Sequence, residues 1–139
     1  MTQHDDHARG RPEVELSVPA DGVHLSLLRT AAAALAARLD FTLDDIEDLR
    51  MAVDEAGALL LQQATADAML TFAFFLDGRR LVLRCEVPTE TPRPPRPEGF
   101  AWMVLTALAS SVDVALTTAD GRSGLSLVLT HPREQDERS

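Results

Sequence analysis

The chain has 139 residues, of which 45% are hydrophobic, and a formal net charge of −9. The chain contains arginine but no lysine. Its excess of acidic residues disfavours direct contact with DNA or RNA, because such contact relies on neutralising phosphates. No apolar run reaches the roughly 18 residues of a membrane-spanning helix, and the single cysteine, Cys85, cannot form an intramolecular disulfide. We therefore expect a cytoplasmic protein without membrane or nucleic-acid contacts, whose acidity suits a basic protein partner.

The two ends of the chain differ from its middle. Residues 1–12 are polar and lack the apolar segment of a secretory signal, so we expect a disordered N-terminal arm. Residues 13–131 carry regular apolar patterns and predict a single domain. Residues 132–139 are predicted to be a charged tail.

The first half of the chain predicts one strand followed by two helices. Val14, Leu16 and Val18 alternate with polar residues, which is typical of a half-buried strand. Apolar residues then recur at spacings of three and four, first after the capping residue Asp21 and again after Thr42. They are Leu28, Ala31, Ala32, Leu35 and Leu39 in the first helix and Ile46, Leu49, Val53, Ala56, Leu60 and Ala64 in the second.

The second half predicts two hairpins separated by a loop and a helix. Asp77-Gly78 and Asp120-Gly121 are turn signals between alternating apolar runs. Prolines fill half of the segment Pro88–Pro97, which excludes regular structure there. The helix is predicted over Gly99–Ser110, with an apolar face made of Phe100, Met103, Val104, Ala107 and Leu108.

The order of elements is therefore strand, two helices, two strands, a proline-rich loop, a helix and two strands. Strands joined by tight turns pair antiparallel, and their apolar face must be covered by the helices. The sequence predicts an α+β fold, a two-layer α/β sandwich with a mixed, mainly antiparallel sheet and helices on one face.

Residues 49–64 hold the most informative motif, a helix with one acidic pair, Asp54-Glu55, in an otherwise apolar run. The motif resembles the first nucleotide-binding box of the GHKL (histidine kinase-like) ATPase superfamily, in the form used by RsbW-like anti-sigma factors. That form reads Ala-Val-Ser-Glu-Ala-Cys-Thr-Asn-Ala-Val, one further residue, then His-Ala. The matching residues are Ala52, Val53, Glu55, Ala56 and Ala64. The resemblance covers roughly residues 13–130, and residues 100–109 look like the actinobacterial branch.

The resemblance implies a nucleotide site whose metal ligand has changed. Glu55 stands where the family has its general base, Leu59 where it has the magnesium-binding Asn, and Gln63 where it has His. Leucine offers no oxygen to Mg²⁺, a cation that demands oxygen ligands. We therefore interpret Glu55 as a vestigial base and expect no bound metal.

The remaining nucleotide-binding positions have also changed. The adenine-reading Asp and Gly of the family fall at Val87 and Thr89, the family's lid falls at residues 92–97, and its second glycine box falls at residues 98–102 with one glycine, Gly99. The segment 92–97 is proline-rich, and proline lacks the N–H groups that cradle a phosphate. We expect ATP to be dispensable, which favours a protein that is not an enzyme.

In the resembling family, the first helix and the loop after it contact the sigma factor, and the central arginine of that contact matches Arg29. A guanidinium offers five donors in a fixed fork suited to a carboxylate. An acidic stretch around the start of the second helix suits the basic DNA-binding surface of a sigma factor. It consists of Asp40, Asp44, Asp45, Glu47 and Asp48.

The resemblance thus implies an anti-sigma factor that sequesters an alternative sigma factor, is released by an anti-anti-sigma antagonist and works without ATP. Two alternatives stay open. One is an ATP-dependent serine kinase of the RsbW type that phosphorylates its antagonist with Glu55 as the base. The other is a degenerate GHKL domain that binds a different regulator. Family members are commonly homodimers, and the apolar Val14–Val18 or Phe100–Trp102 could serve such an interface here, although neither periodicity nor charge establishes self-association. The sequence identifies neither the sigma factor nor the release signal.

Overall fold

The computed structural model describes residues 10–132, so the predictions for residues 1–9 and 133–139 lie outside the described part of the chain. A single 3₁₀ turn, Gly22–His24, leads into the first helix. The elements in chain order are β1 (Val14–Pro19), α1 (Leu25–Arg38), α2 (Leu43–Leu61), β2 (Met69–Asp77), β3 (Arg80–Pro88), α3 (Phe100–Leu108), β4 (Ser111–Ala119) and β5 (Arg122–Pro132).

The five strands form one sheet in the order β1-β2-β3-β5-β4, and each of its four ladders is antiparallel. The predicted two-layer α+β fold is confirmed, although no parallel pair occurs within residues 10–132. Two helices separate β1 from β2 and return the chain to the same end of the sheet. Strands β3 and β4 run in the same direction across α3, but β5 lies between them and pairs antiparallel with both.

Side-chain caps fix the start of the 3₁₀ turn that leads into α1 and the start of α2. The Asp21 carboxylate accepts a hydrogen bond from the Val23 N–H (3.2 Å), and the Thr42 hydroxyl accepts one from the Asp45 N–H (3.1 Å). These bonds satisfy amides that the helix itself leaves without acceptors. None of the helices within residues 10–132 is long and apolar enough to cross a bilayer.

The helices cover one face of the sheet and enclose the main apolar core. Fully buried members include Leu28 of α1, Leu60 of α2 and Leu83 of β3. Each such side chain stabilises the fold by about 1.5–3 kcal/mol through burial. Gly57 of α2 permits a close helix approach, because a Cβ there would lie 2.5 Å from a Leu25 methyl group of α1.

The opposite face of the sheet carries a second, smaller apolar cluster, formed by Ala73, Phe75, Val82 and Val128. The Arg84 guanidinium carbon lies 5.1 Å from the centre of the Phe75 ring, within the range of a cation–π interaction. Side chains alternate between faces along a strand, so β2 and β3 bury residues on both sides. This explains why the sequence of β2 is apolar almost throughout.

Helix α3 presents a different face to the core from the one predicted. Phe100 and Met103, predicted to lie on its apolar face, are 75% and 59% exposed, whereas Leu105 is fully buried. Ala101 and Leu108 pack beside Leu105 against the core. Because α3 is apolar on all sides, the spacing of its apolar residues does not select a buried face.

Candidate functional site

The acidic pair of the motif lies in the middle of α2, as the sequence predicts. Asp54 and Glu55 are half-buried, and Leu59 follows Glu55 one helical turn later. Leu59 is only 9% exposed and belongs to the main core. The position that would hold a magnesium ligand therefore carries an apolar side chain that packs inside the protein.

The residues predicted to contact adenine lie at the end of β3 and are buried. Val87 is part of the main core, and Thr89 is 2% exposed, with its N–H donating to the Ser123 carbonyl (3.0 Å). Gly99 caps α3 in an extended conformation, and a Cβ there would lie 3.2 Å from the Arg96 carbonyl oxygen. Leucine and valine thus occupy the positions where the resemblance predicts the metal ligand and the adenine contact.

The proline-rich loop is fastened to the end of α2 by Gln63. The Gln63 side-chain amide donates to the Arg93 carbonyl (3.0 Å), and its oxygen accepts from the Arg93 N–H (2.8 Å). A side-chain amide can pair with a backbone in this way because it carries both a donor and an acceptor. Sequence reasoning identified Gln63 as a replacement for the family's His but did not predict this pairing.

Arg29 is held by an ion pair between the first two helices. Its Nη1 donates to the Asp54 Oδ1 at 2.5 Å. Both side chains are partly exposed, so solvent screening limits the contribution of the pair to about 1 kcal/mol or less. The pair fixes the direction of the guanidinium and leaves its other N–H groups for further acceptors.

The acidic residues form a string along the α1–α2 turn and the start of α2. Asp40 adopts a left-handed conformation (φ 63°) in the turn, and Glu47 pairs with Arg50 at 3.5 Å. Burial raises the pKa of Asp48, and the charges of Asp45 and Asp44 raise it further. The structure thus brings Asp44, Asp45 and Asp48 together. Asp54, the partner of Arg29, lies ten residues after Asp44, about 15 Å along the helix.

His131 is a buried titratable residue to which the sequence analysis assigned no role. It is 5% exposed near the end of β5, and its Nε2 has no hydrogen-bond partner. Burial lowers its pKa to about 4, while the nearby Asp45 charge opposes that change. Among residues 10–132, no group of three or more His, Cys, Asp or Glu side chains is arranged to hold a metal ion.

Comparison with known proteins shows several related sequences. The chain is 39% identical over 116 residues to the anti-sigma-F factor RsbW of Mycobacterium tuberculosis, in an alignment that covers 82% of this chain and 66% of that protein. It is 37% identical over 54 residues to the serine-protein kinase RsbW of Bacillus velezensis, which covers 39% of this chain and 34% of that protein. It therefore spans just under two thirds of the mycobacterial relative's length. No model of a known protein family matches the sequence.

A solved structure has the same fold. A chain of the SiaB–SiaC complex from Pseudomonas aeruginosa aligns with a TM-score of 0.70 at 12% identity, covering 91% of this chain and 94% of that chain. The sheet, its helical layer and the motif on α2 define a GHKL-type α/β sandwich. Together with the mycobacterial alignment, they make the chain similar to the RsbW-like proteins of that superfamily.

Proposed function

We propose that this protein is a cytoplasmic anti-sigma factor that sequesters an alternative sigma factor without using ATP. The observation that carries the proposal is the similarity to a protein named anti-sigma-F factor, which extends over 82% of the chain. An acidic protein with a net charge of −9 is suited to a basic partner, because complementary fields speed encounter and suppress wrong pairings.

Independence from ATP is supported by how the nucleotide positions are used. Leu59 and Val87 contribute apolar side chains to the core, so an ATP molecule would have to displace buried surface. The loop that would act as a lid is instead paired with Gln63. Glu55 is then a carboxylate without a reaction to catalyse, since a general base needs a positioned substrate.

We propose Arg29 as the central contact to the sigma factor. Asp54 orients the guanidinium of Arg29, and the remaining N–H groups of that guanidinium can bind a carboxylate of the partner. The acidic string would extend this surface along α2 toward basic residues that the sigma factor uses on DNA. Its members are Asp40, Asp44, Asp45, Glu47 and Asp48.

The contact is tested by comparing two arginines of the same helix. Arg29→Gln should weaken binding of the sigma factor by roughly tenfold or more, as expected when a charged hydrogen-bonding group is removed. Glutamine is preferable to glutamate here, because a carboxylate at this position would repel Asp54. Arg38→Gln, which removes an exposed arginine from the last turn of α1, is the matched control. Equal affinities of the two variants would contradict the role of Arg29.

A second candidate function is serine-kinase activity, which the similarity to proteins named serine-protein kinase favours. It requires ATP to bind at Glu55, Leu59 and the lid. We expect no phosphoserine when the purified protein is incubated with radiolabelled Mg-ATP and its anti-anti-sigma antagonist. Labelling that is lost in Glu55→Gln would establish the kinase instead. We further propose that this antagonist releases the sigma factor, and that the protein can form homodimers.

A further inference from the structure

A cavity of about 210 Å³ lies between the start of α2, the end of α3 and the end of β5. Phe41, Asp45 and Asp48 line it from α2 and the preceding turn, residues 107–110 line it from the end of α3 and the link to β4, and His131 and Pro132 line it from β5. Its volume is far larger than the ~10–15 Å³ that a single water molecule requires. The cavity can therefore admit a side-chain head group.

The groups around this cavity accept hydrogen bonds from a cation. Asp45 and Asp48 contribute carboxylates; burial raises the pKa of Asp48, and the charges of Asp45 and then Asp44 raise it further. Helix α3 ends here without a basic residue in its last turn. The Ala109 N–H donates to the Leu105 carbonyl, but the Ser110 N–H donates to the Thr130 carbonyl, so the carbonyls of α3 after Leu105 lack their usual intrahelical donors. A helix C-terminus favours positive charge.

His131 gives a second, independent indication that this cavity is a binding site. A buried polar atom without a hydrogen-bond partner costs free energy, and such atoms in folded proteins call for an explanation. The Nε2 of His131 is such an atom, on a side chain that lines the cavity and is 5% exposed. A neutral imidazole can accept a hydrogen bond from an incoming donor.

We propose that this cavity is a docking site for an arginine side chain of a basic partner protein, bound by Asp48, Asp45, His131 and the C-terminal end of α3. Guanidinium carries several donors in one plane and is weakly hydrated, so it can satisfy several acceptors at once. A metal ion fits less well, because the described residues form no metal-binding group. That the partner is the sigma factor rests on the function proposed above.

The site is tested first with a small probe and the full-length protein. Nα-acetyl-arginine amide, titrated while the histidine ring signals are followed by NMR, should shift His131 saturably and leave His24 unchanged. Asp48→Asn should weaken this binding by roughly tenfold, as expected for loss of a charged hydrogen bond. Glu90→Gln, an exposed change of equal charge in the proline-rich loop, should not. The absence of a saturable shift, equal binding of the neutral citrulline analogue or an equal effect of Glu90→Gln would overturn the proposal.

The identity of the partner is tested separately with each purified alternative sigma factor of the host. If one binds the wild type, Asp48→Asn should weaken that complex by roughly tenfold and the blocked arginine should compete with it. An unchanged affinity of Asp48→Asn would overturn docking of the sigma factor in the cavity and leave the anti-sigma function intact. If no sigma factor binds, the anti-sigma function fails, and the arginine titration alone decides whether the cavity is a binding site.

Discussion

Lowering the pH from about 7.5 to about 5 is expected to destabilise the protein through His131. Burial lowers the pKa of this side chain from 6.5 to about 4. The unfolded chain therefore takes up the proton more readily than the folded protein. The stability contributed by the neutral imidazole is complete above 6.5 and is lost as the pH falls from 6.5 toward about 4.

The size of this loss of stability follows from the difference between the pKa values of His131 in the unfolded and folded protein. That difference corresponds to about 3 kcal/mol when the loss is complete, of which about 2 kcal/mol is lost by a pH of about 5. For a domain of this size, 2 kcal/mol lowers Tm by about 4–10 °C. Among the residues that line the cavity with His131, Asp45 and Asp48 are the charged ones, and residues 107–110 bring no titratable side chain.

The assay is thermal unfolding followed by circular dichroism at both pH values. His131→Leu removes the titrating group, so it should lose less stability between the two conditions than the wild type, by about 2 kcal/mol. His24→Gln, a histidine of the 3₁₀ turn outside the cavity, is the matched control and should retain the full loss. An equal drop in Tm for His131→Leu and the wild type would refute the reasoning.

Three further predictions concern the fold and the loop. Leu105→Ala should lower the free energy of unfolding by about 2–5 kcal/mol in chemical denaturation, because it leaves a cavity at a buried site. Met103→Ala, on the exposed face of α3, should lower it by less than about 0.5 kcal/mol. Equal losses would contradict the observed buried face of α3. Gly124→Ala should cost about 1–3 kcal/mol in the same assay, because its Cβ would lie 3.0 Å from a carbonyl oxygen of β3. Gln63→Ala should accelerate hydrogen exchange of the Arg93 amide by roughly tenfold, and unchanged exchange would show that Gln63 does not hold the loop.

Local chemistry made much of the fold predictable from the sequence. Thr42 caps α2 as its position suggests, because a side-chain oxygen there meets an amide that lacks a helical acceptor. Asp120 and Gly121 both adopt positive φ (53° and 77°), as a tight hairpin requires. Gly78, with φ 62°, opens the other hairpin. Each of these depends on residues within a few positions in the chain.

The features that sequence reasoning missed depend on contacts between distant elements. The pairing of Arg29 with Asp54 requires the register between α1 and α2, which periodicity does not specify. The orientation of α3 depends on which of its apolar residues meets the sheet, and Leu105 rather than Phe100 does so. The cavity beside His131 exists only where three elements end together. The proposed roles of these residues in binding stay predictions.

Sequestration of a sigma factor without nucleotide can be measured by isothermal titration calorimetry. The purified protein would be titrated with its sigma factor once in Mg-ATP and once in nucleotide-free buffer with a chelator. We expect binding in both conditions, with Kd values that agree within about twofold, or about 0.4 kcal/mol. Absence of binding, or an affinity that rises by about tenfold or more with Mg-ATP, would contradict it.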